Sequence, residues 1–308
     1  MEKYLLEKSL NIKGDVLIEG AKNACLPILA ASILSNGNTI IKKVPFLSDI
    51  NVMCSLLEEI GISIIKDLKN KCIQIDTKNI FNKKVSYDLV KQIRASFLLA
   101  GPMLARFGKV SIQMPGGCAI GVRPIDLHLK GFKALGAEIL QEHGVIEINA
   151  KNRLIGTEIY LDFPSVGATE NIIMASVLAK GTTVISNCAT EPEIVDLIEF
   201  LNKMGAKIEG GGTETIKIKG VDSLNNCEHT IIPDRIEAGT FLVLGAATKG
   251  ELNILDVNCE HLKAVTSKLR EINVDIEEKD NKIFVSGKNI FKNVDIKTMP
   301  YPGFPTDM

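Results

Sequence analysis

The sequence predicts an α/β protein built from a repeated unit, with helices inside and strands outside, and three observations carry that prediction. First, an alanine-rich helical stretch ends at a glycine and an alternating strand follows, four times. The glycines are Gly37, Gly108, Gly181 and Gly250, roughly seventy residues apart. The strands are Asn38-Thr39-Ile40-Ile41, Lys109-Val110-Ser111-Ile112, Thr182-Thr183-Val184-Ile185 and Glu251-Leu252-Asn253-Ile254. Second, a helix end running straight into a strand keeps step with the first signature: Ile60-Gly61-Ile62, Leu135-Gly136-Ala137, Met204-Gly205-Ala206 and Ile272-Asn273-Val274. Glycine, and next to it asparagine, are the residues a left-handed helix C-cap favours. Third, residues 24–32 and 238–247 are apolar nearly all round, as buried helices are.

Each unit therefore reads helix, strand, helix, strand, strand. Turns such as Lys69-Asn70-Lys71 and Asp280-Asn281-Lys282 are expected to close a hairpin at the end of a unit. The pattern breaks at residues 227–235, Cys227-Glu228-His229-Thr230-Ile231-Ile232-Pro233-Asp234-Arg235. We expect a turn-like crossing between domains there, with units one to three before it and unit four opening the second domain.

Composition narrows the function. Of 308 residues, 45% are hydrophobic and 24% charged, an ordinary globular balance. A formal net charge of -1 gives no global field toward nucleic acid or an anionic membrane. Tryptophan is absent and aromatics are 5%, which argues against base-stacking platforms. The first residues, Met1-Glu2-Lys3-Tyr4-Leu5-Leu6-Glu7-Lys8, carry charge where a signal peptide needs an apolar core. No apolar run approaches the ~18–20 residues of a membrane span. Seven widely spaced cysteines without a CxxC, and four scattered histidines, read as neither a disulfide frame nor a metal site. A cytoplasmic protein with reduced thiols and no metal is the expectation.

One loop stands out chemically: Met114-Pro115-Gly116-Gly117-Cys118-Ala119-Ile120-Gly121-Val122-Arg123-Pro124. Its glycines let backbone approach a ligand and leave N–H groups able to face an anion. Arg123 lies close in sequence to Cys118, and a neighbouring cation favours a thiolate. A plain surface turn with an inert cysteine is the competing reading of the loop taken alone. The other six cysteines (25, 54, 72, 188, 227 and 259) read as small core residues.

Several separate motifs resemble those of one family. They are Gly20-Ala21-Lys22-Asn23-Ala24, Arg94-Ala95-Ser96, the Cys118 loop running into Arg123-Pro124-Ile125-Asp126-Leu127-His128, Ser165-Val166-Gly167-Ala168-Thr169-Glu170-Asn171, Pro233-Asp234-Arg235-Ile236-Glu237-Ala238-Gly239-Thr240, and Tyr301-Pro302-Gly303-Phe304-Pro305-Thr306-Asp307-Met308. In that order they resemble the UDP-N-acetylglucosamine 1-carboxyvinyltransferases, enolpyruvyl transferases that open peptidoglycan synthesis. The resemblance runs from Met1 to Met308. It implies a two-domain inside-out α/β barrel of repeated βαβαββ units, the EPSP-synthase-like fold, with 21–231 as the first domain and 1–20 plus 232–308 as the second. The family fold implies six units and this sequence supplies four, so the second domain is expected to be incomplete and the sequence to be truncated at its C-terminal end.

The resemblance also implies roles. Lys22 and Asn23 would meet phosphoenolpyruvate at a helix start; without the other motifs an exposed lysine and a capping asparagine would be the better reading. Arg94 and Arg123 offer planar forks for phosphate or carboxylate, against which stand surface ion pairs with Asp88 and Asp126. Cys118 would be the general acid that protonates C3 of phosphoenolpyruvate, and could add covalently to C2. An epoxide mimic of phosphoenolpyruvate should then alkylate it. Asp307 would be the base for the sugar hydroxyl, or a helix N-cap, and both roles are compatible. Asp234 and Arg235 would support the site or pair with each other. Arg123, Pro124, Ile125, Asp126 and Leu127, with Ser165, Val166 and Gly167, would hold the uridine nucleotide. The family often carries a basic residue two before this serine; here Phe163 stands there, which implies a weaker or differently placed diphosphate contact. His128 reads as packing near the nucleotide rather than as a base.

The implied reaction is addition then elimination, with no cofactor or metal. Two rivals stand beside it. The shikimate-pathway enolpyruvyl transferase shares fold and reaction, but its equivalent loop lacks a cysteine. An inactive nucleotide-binding fragment of the same family would bind without releasing phosphate. The oligomeric state is open from sequence.

Overall fold

The computed structural model describes residues 12–81, 86–113 and 125–308, with Lys3, Leu5, Glu7 and Ser9. Cys118, Arg123 and Pro124 lie outside the described residues. The order of elements repeats as the sequence patterns predict. After β1 (Lys13–Leu17) come α1 (Lys22–Ala31), β2 (Asn38–Lys42), α2 (Ser48–Glu59), β3 (Ser63–Asp67) and β4 (Cys72–Asp76). The second round has the short α3 (Tyr87–Val90), a 3-10 turn at Arg94–Leu99, α4 (Ala100–Phe107), β5 (Lys109–Gln113), α5 (Asp126–Ala134), β6 (Glu138–Glu142) and β7 (Val145–Asn149). The third has β8 (Glu158–Tyr160), α6 (Val166–Ser176), β9 (Thr182–Ser186), α7 (Pro192–Lys203), β10 (Lys207–Glu209) and β11 (Thr215–Lys219). The fourth has β12 (Glu228–Thr230), α8 (Arg235–Ala247), β13 (Glu251–Leu255), α9 (Lys263–Glu271), β14 (Asp275–Lys279) and β15 (Lys282–Ser286).

The protein forms two compact units, Lys22–Ile232, and Met1–Ala21 with Pro233–Met308. The larger unit holds three sheets, ordered β12-β2-β4-β3, β5-β7-β6 and β10-β11-β9-β8; the smaller holds one, β1-β13-β15-β14. In each sheet the last two strands of a repeat form an antiparallel hairpin whose second strand pairs with the strand preceding that hairpin, β4 with β2, β7 with β5, β11 with β9 and β15 with β13. A further strand joins three of the sheets in parallel: β12 beside β2, β8 beside β9, and β1 beside β13.

The same two inward positions recur on the hairpins. Ile73 and Ile75, Ile146 and Ile148, Ile216 and Ile218, and Ile283 and Val285 are fully buried, alternating with the outward Gln74, Glu147 and Lys217 and with the half-buried Phe284. Helices α1 and α6 form the centre of the larger unit and are buried all round over most of their length, packed among α2, α4, α5 and α7. The helix ends also repeat. Gly61, Gly136, Gly205 and Asn273 have φ of 90°, 95°, 104° and 77°. The N–H after each reaches back over the last turn, from Ile62 to Leu57, Ala137 to Phe132, Ala206 to Leu201 and Val274 to Leu269. That is the Schellman closure.

Two local readings are corrected. Helix α8 is not enclosed: Ala238, Gly239, Leu242, Gly245 and Ala246 are buried while Leu244 is 36% exposed, because one sheet covers one face of it in its own unit. Residues 227–235 are not wholly a turn, since Glu228–Thr230 pair with Ile40–Lys42 and the units divide after Ile232. In the fourth repeat Gly250 lacks the positive φ of Gly108 and Gly181, and Lys249 carries it. Gly250 is needed for a different reason: a Cβ there would stand 2.3 Å from the Ile12 carbonyl oxygen.

Buried polar groups fasten β12. His229 and Asp196 are each 1% exposed in their side chains. Lys203 Nζ donates to His229 Nδ1 at 3.1 Å, so Nε2 carries the ring proton and donates to Asp196 Oδ1 at 2.8 Å. The other Asp196 oxygen accepts from the Ile232 N–H at 3.3 Å.

Candidate active site

In the larger unit the expected site residues sit at the starts of helical segments. Lys22 and Asn23 open α1, Arg94 opens the 3-10 turn, Asp126 opens α5 and Val166 opens α6. The 3-10 turn packs against both α1 and α6, and α5 packs against α6. Helix starts leave N–H groups without intrahelical acceptors and carry positive dipole charge, so each is suited to anions.

Helix α6 begins with a side-chain cap: Ser165 accepts from the Ala168 N–H at 3.4 Å, and the Ser165 carbonyl accepts from the Thr169 N–H at 2.9 Å. Val166 and Gly167 form the partly exposed first turn. Phe163, two before the cap, is exposed and brings no charge. Lys22 Nζ stands 3.1 Å from Asp49 Oδ2, a carboxylate in the first turn of α2. Asn23 and Asp126 are exposed, Leu127 is partly so, and Ile125 is buried just before α5. Asp88 does not serve Arg94 as the sequence suggested: its carboxylate accepts from Lys91 at 2.7 Å, a bond that holds the Asp88 carboxyl below its usual range. The Arg94 charge instead acts on His128.

His128 is 6% exposed. Its ring stands edge-on to Phe97 with centroids 5.1 Å apart, and Nδ1 lies 2.9 Å from Asn171 Nδ2. Burial, and secondarily Arg94, lower its pKa from 6.5 to about 4. Between those values the unfolded chain binds a proton that native His128 does not, so stability is complete above pH 6.5 and is lost as pH falls toward 4. A gap of that size corresponds to ~3 kcal/mol. Urea unfolding at pH 7 and pH 4.5 should show His128→Gln losing less stability over that interval than the wild type. Equal losses would mean the histidine is not the group responsible.

Three acids that the sequence reading did not single out lie nearby in the sequence. Glu170, Glu191 and Glu193 are buried, and burial, then the charges of Glu193 and Glu191, push the Glu170 carboxyl well above its usual range. The run Thr169-Glu170-Asn171 in the α6 motif was the available signal. Among the described residues no cluster of His, Cys, Asp and Glu has the geometry to hold a metal, and no helix is long and apolar enough to cross a membrane.

The six described cysteines are free. Burial pushes the thiols of Cys54, Cys188 and Cys227 up to about 11 and that of Cys25 well above the usual value. Cys72 and Cys259 are raised as well. Cys72, Cys227 and Cys259 are only half-buried, so they are not the core residues expected; Cys72 and Cys227 lie at or beside strand ends and Cys259 opens a surface 3-10 turn.

In the smaller unit, Asp234 caps α8 by accepting from the N–H groups of Ile236 at 2.8 Å and Glu237 at 3.1 Å. The Arg235 guanidinium lies over the Tyr301 ring, 5.2 Å from its centroid. Asp307 is exposed in a turn whose neighbours Pro305 and Met308, with Arg235, Lys263 and Tyr301, line a cavity of about 230 Å³.

Comparison with known proteins agrees with the fold and sharpens the family. The family model described as EPSP synthase (3-phosphoshikimate 1-carboxyvinyltransferase) matches residues 6–308. UDP-N-acetylglucosamine 1-carboxyvinyltransferase 1 of Caldanaerobacter subterraneus subsp. tengcongensis is 55% identical over 306 residues, covering 99% of this chain and 73% of the relative. The UDP-N-acetylglucosamine 1-carboxyvinyltransferase of Finegoldia magna is 52% identical over 310 residues, covering 100% and 73%. Among solved structures, the enolpyruvyl transferase NikO from Streptomyces tendae superposes with a TM-score of 0.85 at 21% identity, over 97% of this chain and 71% of that one. EPSP synthase from Acinetobacter baumannii superposes with a TM-score of 0.72 at 19% identity, over 95% and 68%. Those two likenesses speak to fold alone.

Proposed function

From the premise that the chain belongs to the EPSP synthase family of enolpyruvyl transferases, and within it to the UDP-N-acetylglucosamine 1-carboxyvinyltransferases, we infer that it transfers the enolpyruvyl group of phosphoenolpyruvate to the 3-hydroxyl of UDP-N-acetylglucosamine and releases phosphate. The observation that carries this reading is the 55% identity over 99% of the chain with a relative of that name. The capped, partly exposed first turn of α6 supports it as a seat for a nucleotide diphosphate.

In the first step Asp307 takes the hydroxyl proton, the sugar oxygen bonds to C2, and Cys118 gives a proton to C3. The product is a tetrahedral phospholactoyl adduct. In the second step C3 returns a proton, the C2–O bond to phosphate breaks, and the enolpyruvyl ether remains. Lys22, Asn23, Arg94 and Arg123 hold the anionic groups, and their charge stabilises the departing phosphate. Arrival of phosphoenolpyruvate gives the Lys22 ammonium, which faces Asp49, a further and more highly charged partner. Arg123 to Leu127 and Ser165 to Gly167 hold the nucleotide, with Asp234 and Arg235 in support. The reaction makes a peptidoglycan precursor, and a cytoplasmic setting with roles in cell-wall biogenesis, cell shape and division accompanies that reading.

The test is phosphate release from phosphoenolpyruvate with each of two acceptors. Release that depends on UDP-N-acetylglucosamine supports the reading. Release with 3-phosphoshikimate in its place overturns it in favour of the shikimate-pathway reaction, and nucleotide binding without release favours a non-catalytic role.

A further inference from the structure

Asn171 sits in the middle of α6 with every polar atom of its side chain engaged. Its Oδ1 accepts from the Gly101 N–H at 2.8 Å, and its Nδ2 donates to the Phe97 carbonyl at 2.9 Å and faces His128 Nδ1 at 2.9 Å. A backbone N–H can only donate and a carbonyl can only accept, so the amide has one possible orientation. The group facing His128 is therefore a donor, and Nδ1 must accept. The proton of the neutral ring is then on Nε2.

That Nε2–H has no acceptor among the described residues, although the ring is nine-tenths buried. It faces the start of α6: a Cβ built on Gly167 would stand 3.3 Å from His128 Cε1 and 3.6 Å from Nε2. Glycine at 167 thus keeps open the space over the donor edge of the ring. The N–H groups of Val166 and Gly167 belong to the same first turn, where no intrahelical acceptor exists.

We propose that His128, held by Asn171 as its Nε2–H tautomer, donates a hydrogen bond to a diphosphate oxygen of the nucleotide seated on the first turn of α6. The proposal rests on the reading of that turn as the nucleotide seat. It accounts for how a diphosphate is held where Phe163 supplies no charge: the contacts come from the helix start, the Ser165 region and a neutral ring donor. Asn171 is a positioning residue. It touches no ligand and acts by fixing which ring nitrogen carries the proton.

The test uses the full protein and isothermal titration with UDP and with uridine, beside nitrogen NMR of the histidine rings. His128→Asn places an amide near the Nδ1 position and removes the Nε2 donor, whereas His128→Gln returns an amide N–H near the Nε2 position. Loss of a hydrogen bond to a charged acceptor should weaken UDP binding roughly tenfold or more in His128→Asn. Uridine binding should stay unchanged, which also shows the variant folded, and His128→Gln should recover UDP binding to within about threefold of wild type. A wild type that binds UDP while His128→Asn binds it equally well overturns the inference alone. So does an Nδ1–H ring signature, or an equal loss for uridine and UDP. A wild type that binds no UDP overturns the nucleotide seat itself, and the inference with it.

Discussion

Cys118→Ala is expected to lower UDP-N-acetylglucosamine-dependent phosphate release by ~10²–10⁴-fold, the contribution of a positioned proton donor, while UDP-N-acetylglucosamine still binds. Six of the seven thiols are held protonated. A thiol at about 11, as at Cys54, Cys188 and Cys227, is ionised in only about one molecule in 10⁴ at pH 7. Cys25, Cys72 and Cys259 are shifted the same way. Cys118 alone pairs a glycine-rich loop with a cation close in sequence, Arg123. An epoxide that mimics phosphoenolpyruvate should therefore add once per molecule by intact mass, and not at all to Cys118→Ala. An adduct that survives the substitution, or undiminished turnover in the variant, would remove Cys118 from the chemistry.

The largest effect on stability is expected at Asp196. Asp196→Ala leaves His229 without the acceptor for its Nε2–H and the Ile232 N–H without its carboxylate, in a place where water does not reach. Leaving two buried donors unsatisfied costs about 1–3 kcal/mol each. At ~2–4 °C per kcal/mol for a unit of this size, the melting midpoint should fall by about 10 °C. Glu228→Gln on the same strand is the control. Glu228 pairs with Lys42 in the open, and its loss should leave the midpoint near wild type. Replacing both Asp196 and His229 by leucine should recover part of the lost stability, since the buried carboxylate and the polar ring atoms leave together with their desolvation costs. A midpoint for Asp196→Ala within a degree or two of wild type would show that the pair does not hold β12.

What the sequence disclosed follows from what is local. The Schellman ends at Gly61, Gly136, Gly205 and Asn273 need only a residue that tolerates positive φ after an apolar helix, and that signal is written within three residues. The inward pairs from Ile73 and Ile75 to Ile283 and Val285 are equally plain, because strand alternation is a two-residue period. What escaped depends on partners far along the sequence. Glu228–Thr230 is too short to show a period, and its pairing with β2 is decided across the fold. An apolar helix such as α8 states what prefers burial, not what is there to cover it. The demand for glycine at 250 comes from the Ile12 carbonyl, far back along the sequence, which a Cβ there would meet. At the site, motif spacing pointed to Lys22, Arg94 and Ser165 but placed His128 only as packing. The orientation of the Asn171 amide is set by Phe97 and Gly101, and no short pattern joins those positions to His128. Cys118, Arg123 and Pro124 were legible only as a motif, and that is how they enter the proposed mechanism.

The parallel strands bear on the order in which the molecule can be built. A ribosome delivers β2 early, but its open flank is closed by β12, which emerges only after two further repeats. Likewise β1 is made well before β13 and must wait for it. Until then the nascent protein carries bare strand edges, the surfaces through which unfinished polypeptides stick to one another. Closure late in synthesis makes the final pairing steps long-range and slow. Release of the polypeptide just short of Glu228 should therefore favour association over folding, whereas release just after Ile232 lets β12 seal the first sheet.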